Sequence, residues 1–288
     1  MNENTLFATV ALYIQESSSL LLVVEGPDDH LALKDHCSPD LNLLSGTGGR
    51  EQVLRAARLA SERNIKGVRF LVDRDYDDFR TTVGTHQDNV LASTRHDIFL
   101  DISASEPLIL QRVIDVFSDS ARRRPDNVKP IPHSSVIESD AISLATALAA
   151  VRIVNARRSL ALDFTRFSFG GLKEHEFKVE VIANTIFVRN ECRPEDLDEL
   201  ISESISVHAE VLQLQIEPIG DHDLFSALAR ILKRINISIS GDSLHKAFIL
   251  AVTCAALSGT HWFQEIQKWC ELNNRRGFSC QADSVLAA

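Results

Sequence analysis

Five consecutive apolar residues, Leu20 to Val24, run straight into Glu25, Gly26, Pro27 and two aspartates. A short unbroken apolar run bounded by Gly and Pro reads as a strand buried on both faces. The first third of the chain repeats this alternation. Pro27 to about His36 reads as a short helix and Asn42 to Leu44 as a second strand. The turn SGTGG then leads into an amphipathic helix from about Arg50 to Arg63. VRFLVDRDYDD supplies a third strand, and DIFLDIS, residues 97–103, reads as a fourth that leads into a helix near Glu106. Strands alternating with helices predict a parallel sheet, here an α/β domain over residues 1–118.

Beyond Phe117 the period changes. RRRPDNVKPIPHSS carries three of the eight prolines and reads as a surface connection. Asp140 to Arg158 has helical spacing. LALDFTRFSF and FKVEVIANTIFVR have the alternation and β-branched content of a small antiparallel pair, with Gly170 and Gly171 in the turn. Three closing helices are expected in DLFSALARILKRI, LHKAFILAVTCAAL and HWFQEIQKWCEL. Residues 119–288 are therefore expected to form a mainly helical α+β carboxyl-terminal domain.

Composition sharpens this outline. At 288 residues and 44% hydrophobic, the chain has material for two cores. MNENTLF lacks the start of a secretory signal, and the apolar run from Ala247 to Leu257 is well short of the roughly 20 residues that span a bilayer. A soluble, cytoplasmic protein without membrane association is the expectation. Cys37, Cys192, Cys254, Cys270 and Cys280 are scattered and form no CxxC pair, so reduced, mostly buried thiols are expected rather than a zinc site or a disulfide framework.

A net charge of -10 argues against bulk coating of nucleic acid, but the charge is unevenly distributed. Residues 121–189 hold 11 Lys and Arg against 7 Asp and Glu, whereas 190–223 set only Arg193 against 10 acids. Two readings fit: a local phosphate track beside a protein-docking face, or solvated helix surfaces. On the first reading Arg122, Arg123, Arg124, Arg157 and Arg158 hold substrate phosphates.

The candidate chemistry lies where the strands end. Glu25 follows the first strand and Asp73 the third, and ligands in open α/β sheets bind at that edge. On extended backbone Asp73 and Asp75 share a face, so three carboxylates can converge. Two like charges about 4 Å apart repel by roughly 4 kcal/mol at an effective dielectric near 20, so such a trio calls for a cation. All-oxygen donors suit Mg²⁺ or Mn²⁺ better than zinc. A hydrated loop is the plain alternative. In SGTGG, Gly48, Gly49 and Arg50 are placed to approach a phosphate, or the glycines serve only a tight turn; neither a P-loop nor a GxGxxG spacing is complete. In GDHDLF, Asp221 or Asp223 caps a helix, or His222 protonates a leaving oxygen.

These residues resemble a known pattern. VVEGPDD and FLVDRDYDD, with SGTGG between them, are similar to a TOPRIM domain, the metal-binding module of topoisomerases, bacterial primases and OLD-type nucleases, over roughly residues 18–115. Together with GTGGREQVL and GDHDLF they resemble the TOPRIM-type effector nucleases of bacterial anti-phage defence, of the PARIS kind. The resemblance implies a Rossmann-like parallel sheet with flanking helices, and Glu25, Asp73 and Asp75 as ligands of Mg²⁺ or Mn²⁺, with Glu25 alternatively the general base. It further implies RNA cleavage with tRNA as target, control by an ABC-class ATPase partner, and a homodimer when active. Asp29, His96, Asp97, Asp101 and Asp223 receive no assigned role. Two alternatives stay open: a DNA-cleaving OLD-like nuclease and a catalytically silent ATPase-binding module. A topoisomerase fits poorly, since Tyr13 and Tyr76 are the only tyrosines, and a primase lacks its zinc spacing here. The chain has no Walker motif, so any ATP hydrolysis belongs to another protein.

Overall fold

The computed structural model describes residues 4–79, 86–122, 130–173, 176–214 and 218–281. Arg123, Arg124 and the side chain of Arg122 lie outside what it describes. The chain divides into two compact units. The first comprises Met1–Arg74, Gly84–Glu106 and Ile249–Ala288; the second comprises Asp75–Val83 and Pro107–Phe248. A single boundary after residue 118 does not reproduce this division, because the last forty residues return to the first unit.

The first unit is α/β. Strands β1 (Leu20–Val24), β2 (Leu41–Ser45), β3 (Val68–Val72) and β4 (Val90–Ala92) form a parallel sheet in the order β2-β1-β3-β4. Leu22 aligns with Leu43 on one side, and Val23 with Phe70 on the other. Every β1 side chain is buried, as the unbroken apolar run required. Leu21, Val23, Val68, Phe70 and Val72 pack against α1 (Asn4–Glu16) and α3 (Gly49–Glu62). Ala56, Ala57 and Ala60 lie on the buried stripe of α3, and their small side chains keep that helix close to the sheet. Each large aliphatic or aromatic side chain so buried contributes about 1.5–3 kcal/mol. The helix α1 follows a 3.6-residue stripe of Leu6, Phe7, Val10 and Ile14.

DIFLDIS is not a strand. It forms helix α4 (Ile98–Ser105), and the fourth strand is the shorter run Val90–Ala92. Asp97 decides the matter locally, since its Oδ1 accepts the Leu100 N–H at 2.8 Å and so caps the helix. A short apolar run alone does not separate a strand from a buried helix. Between β1 and β2 lies α2 (Pro27–Leu33), with Pro27 at its first position, where the missing N–H costs nothing.

Among its described residues the second unit has helices and turns but no strand. Helices α5 (Leu108–Arg122), α7 (Val179–Arg189), α8 (Pro194–Leu214) and α9 (Asp221–Arg234) all pack on α6 (Ser134–Arg158). Ala141, Ala145, Ala149 and Ala150 are buried along α6 and let neighbours approach closely. The expected antiparallel pair is absent. FKVEVIANTIFVR instead yields α7, whose buried Val179, Ile182, Ala183, Ile186 and Phe187 trace a helical stripe. LALDFTRFSF contributes short 3₁₀ turns at Phe164–Arg166 and Phe169–Gly171. The β-branched content suggested strands, but burial at period 3.6 prevailed.

LHKAFILAVTCAAL also divides, into α10 (Gly241–Ala251) and α11 (Cys254–Ser258), the second capped where Thr253 Oγ1 accepts the Ala256 N–H. After α12 (His261–Leu272), Phe278 is fully buried and stacks on Phe263 at 4.2 Å. The Cys254 and Cys280 sulfurs are bonded, contrary to the expectation of reduced thiols, and His36 Nδ1 lies 3.6 Å from each. Cys37 and Cys270 remain free, with thiols pushed up to about 12 by burial. No helix among the described residues is long and apolar enough to cross a membrane.

Truncating Phe278 tests the return of the tail to the sheet unit. Phe278→Ala is expected to lower unfolding free energy by about 3–5 kcal/mol, measured by chemical denaturation. A change under about 1 kcal/mol would show that this segment does not support the core.

Candidate active site at the carboxyl edge of the sheet

The sheet order places β1 between β2 and β3. The chain leaves β1 for one neighbour and returns on the other side, so the β1/β3 boundary is a topological switch point, where a crevice opens beyond the strand ends. Glu25 and Asp73 are the first residues after those two strands. The Asp73 N–H donates to Glu25 Oε1 at 2.8 Å, and Asp73 Oδ1 accepts the Ile98 N–H at 3.1 Å. One carboxylate is thus fixed across the switch point, and the other against the N-terminus of α4, whose dipole favours negative charge. Arg50 joins them: its Nε donates to the Asp73 carbonyl at 2.8 Å and lies 3.9 Å from Glu25 Oε1. Gly46 makes room for this arrangement, since a Cβ there would lie 2.9 Å from both the Glu25 carbonyl and Val53.

Further acids join the pair. Asp29 Oδ2 accepts the Gly26 N–H at 2.9 Å, closing the first turn of α2. Burial pushes the Asp29 carboxyl up to about 7; the Asp97 and Asp28 charges add to the rise, and N–H groups at Gly26 and Glu25 oppose it. Asp97 therefore stands close enough to Asp29 for their charges to interact. His96 Nδ1 lies 3.4 Å from Asp97 Oδ2. Asp101 has a structural part, accepting the Thr94 and Arg95 N–H groups at 2.7 and 2.8 Å. Its carboxyl is raised, chiefly by burial. Asp29 was legible in sequence as the last residue of a GxxD helix start, and Asp97 as an aspartate just before an apolar run.

The other expected site residues are placed differently. Asp75 belongs to the second unit, has a left-handed φ of 50°, and acts electrostatically on Arg152. The strand ends at Val72, so the two-residue alternation that put Asp73 and Asp75 on one face does not reach Asp75. Groups of three ligand side chains whose donor atoms lie within 4.8 Å of one another are, among the described residues, His36 with Cys254 and Cys280, and Asp221 with His222 and His245. Glu25, Asp73 and Asp75 are not such a group.

Nor is SGTGG an open phosphate cradle. The Thr47 and Gly48 N–H groups donate to Gln52 Oε1 at 3.1 and 2.9 Å, while Gly49 takes the positive φ of 65° that begins α3. The basic stretch is paired as well. Arg157 makes a two-pronged bridge to Glu210, and Arg158 pairs with Glu199 and Glu203, all on α8. Two of the basic residues and three of the acids in the uneven stretches thus pair between α6 and α8. His222 is exposed near the start of α9, and Asp223 forms a bidentate pair with Arg152 at 2.6 and 2.9 Å.

No protein-family model matches the chain, and no curated protein matches it. The TOPRIM resemblance rests on the sequence motifs alone. Glu25, Asp73, Asp29 and Asp97 all offer carboxylate oxygens, the donor type of a hard divalent cation, and no three of them are among the close ligand groups named above.

Asp29 provides a test of the burial of these acids, the chief cause of its raised carboxyl. Its folded-state carboxyl titrates above its unfolded value, so stability should fall as pH rises from about 4 to 7 and then level off. Asp29→Asn keeps an acceptor for Gly26. It should raise the melting temperature at pH 8 without divalent ions and leave it unchanged at pH 4. Equal melting temperatures at both pH values would remove Asp29 from the cluster.

Proposed function

We propose that this protein is a divalent-metal-dependent phosphodiester hydrolase acting on structured RNA, with its centre at Glu25 and Asp73. The observation that carries the reading is the Glu25 Oε1 to Asp73 N–H bond, which holds two acids together at the switch point of a parallel sheet. Glu25 and Asp73 would hold the ion, with Asp97 adding charge beside them. When bound, a divalent ion polarises a phosphoryl oxygen and lowers the pKa of a coordinated water.

The remaining work falls to the chain. Arg50, anchored on the Asp73 carbonyl, holds positive charge at the same edge and supports an anionic phosphate there. Asp29, with its carboxyl near 7, is matched to proton transfer close to neutral pH. RNA as substrate, tRNA in particular, and an ABC-class ATPase partner follow from the motif resemblance and are part of this proposal. A catalytically silent binding module is the second reading, favoured by the placement of Asp75 outside a tight ligand trio.

Transcribed tRNA incubated with the purified chain and Mg²⁺ or Mn²⁺ separates the readings. Cleavage should require the metal, stop with a chelator, and fall about 100-fold or more in Glu25→Gln and Asp73→Asn, with unchanged circular dichroism. Asp75→Asn should lose less. Cleavage that persists in both variants would refute the site, and no cleavage by the wild-type chain would favour the binding module.

A further inference from the structure

We propose that Asp221, His222 and His245 form a binding site for a first-row divalent transition ion, zinc foremost, in the helical unit. None of the carboxylates at the sheet edge takes part, so the inference does not depend on the hydrolase reading.

The three donor atoms lie within 4.8 Å of one another. Asp221 Oδ2 and His245 Nε2 are 3.1 Å apart. Two ligands about 2.0–2.1 Å from a tetrahedral zinc are separated by about 3.3 Å, so this pair needs little movement to share an ion. The His222 and His245 rings meet edge to face, with centroids 5.4 Å apart and planes at 81°. An Asp–His ion pair accounts for Asp221 and His245, but it gives no part to His222.

The surroundings hold the donors in place. His245 is 3% exposed and stacks on Phe225 at 4.9 Å, which fixes its ring. Asp221 and His222 occupy the first turn of α9, where the backbone sets their spacing. His222 is exposed and gives an ion a way in. Asp223, two residues on, is engaged by Arg152 and stands outside the donor set. Asp242 adds nearby negative charge: Lys246 foremost, then His245 and His222, hold its carboxyl below the usual range. Two imidazoles and one carboxylate suit zinc, iron(II), nickel or copper, whereas manganese, magnesium and calcium prefer oxygen donors. The cluster at His36 does not compete in this state, because its two sulfurs are bonded to each other.

The experiment is a zinc titration of the metal-free full chain against a chromogenic chelator, repeated with cobalt(II) and its visible absorption. The variants are His222→Ala, His245→Gln, Glu25→Gln and the double change Cys254→Ser with Cys280→Ser. The wild type, Glu25→Gln and the cysteine double variant should each bind a single zinc ion and melt at a higher temperature with it. His222→Ala alters an exposed side chain and should fold normally, yet bind zinc about tenfold more weakly or worse. His245→Gln should weaken binding likewise; if it fails to fold, His222→Ala carries the test alone. Undiminished zinc affinity in His222→Ala would overturn the proposal. So would uptake that disappears only with the cysteines or with Glu25, or no uptake by the wild type.

Discussion

A single hydrogen bond, from the Asp73 N–H to Glu25 Oε1, organises the carboxyl edge of the sheet. It joins the ends of β1 and β3, strands that neighbour each other only because the chain crosses from one side of β1 to the other. The apolar run Leu20–Val24 buries β1 on both faces and leaves its end as the place where polar groups emerge. Asp73 then reaches on to the first turn of α4, and Asp97 caps that helix within range of Asp29. Gathering these acids costs free energy that backbone N–H groups and Arg50 partly offset. A dication would offset more of it, which is the physical reason to read the edge as a site.

The helical unit uses charge differently. Arg157 and Arg158 of α6 pair with Glu199, Glu203 and Glu210 of α8, one point where the basic and acidic stretches of the sequence meet. Exposed pairs of this kind add little to stability and are screened by salt. In this structure both arginines are engaged by these acids. The more enclosed polar groups, Arg152 with Asp223 and Asp221 with His245, lie around α9, where GDHDLF begins the helix.

Much of this was legible in the sequence, for identifiable reasons. The unbroken apolar run Leu20–Val24 located β1, and the mostly apolar VRFLV located β3, which together placed Glu25 and Asp73. Helix starts at Pro27 and after Gly48 followed from proline and glycine chemistry. The same reasoning failed at DIFLDIS and FKVEVIANTIFVR, where β-branched residues imitate a strand and only a capping aspartate or a 3.6-residue stripe reveals the helix. The facing expected of Asp75 failed because the strand, and with it the alternation, ends at Val72. The pairing of Cys254 with Cys280 depends on the return of the tail to the first unit, which no local pattern encodes.

The central claim is that Glu25 and Asp73 jointly ligate a divalent ion. Crystals of the full chain grown with Mn²⁺ and measured for anomalous scattering test it most directly. The account predicts a peak about 2.1 Å from carboxylate oxygens of both residues. A peak confined to other side chains, with Glu25 still held only by the Asp73 N–H and Arg50, would contradict it.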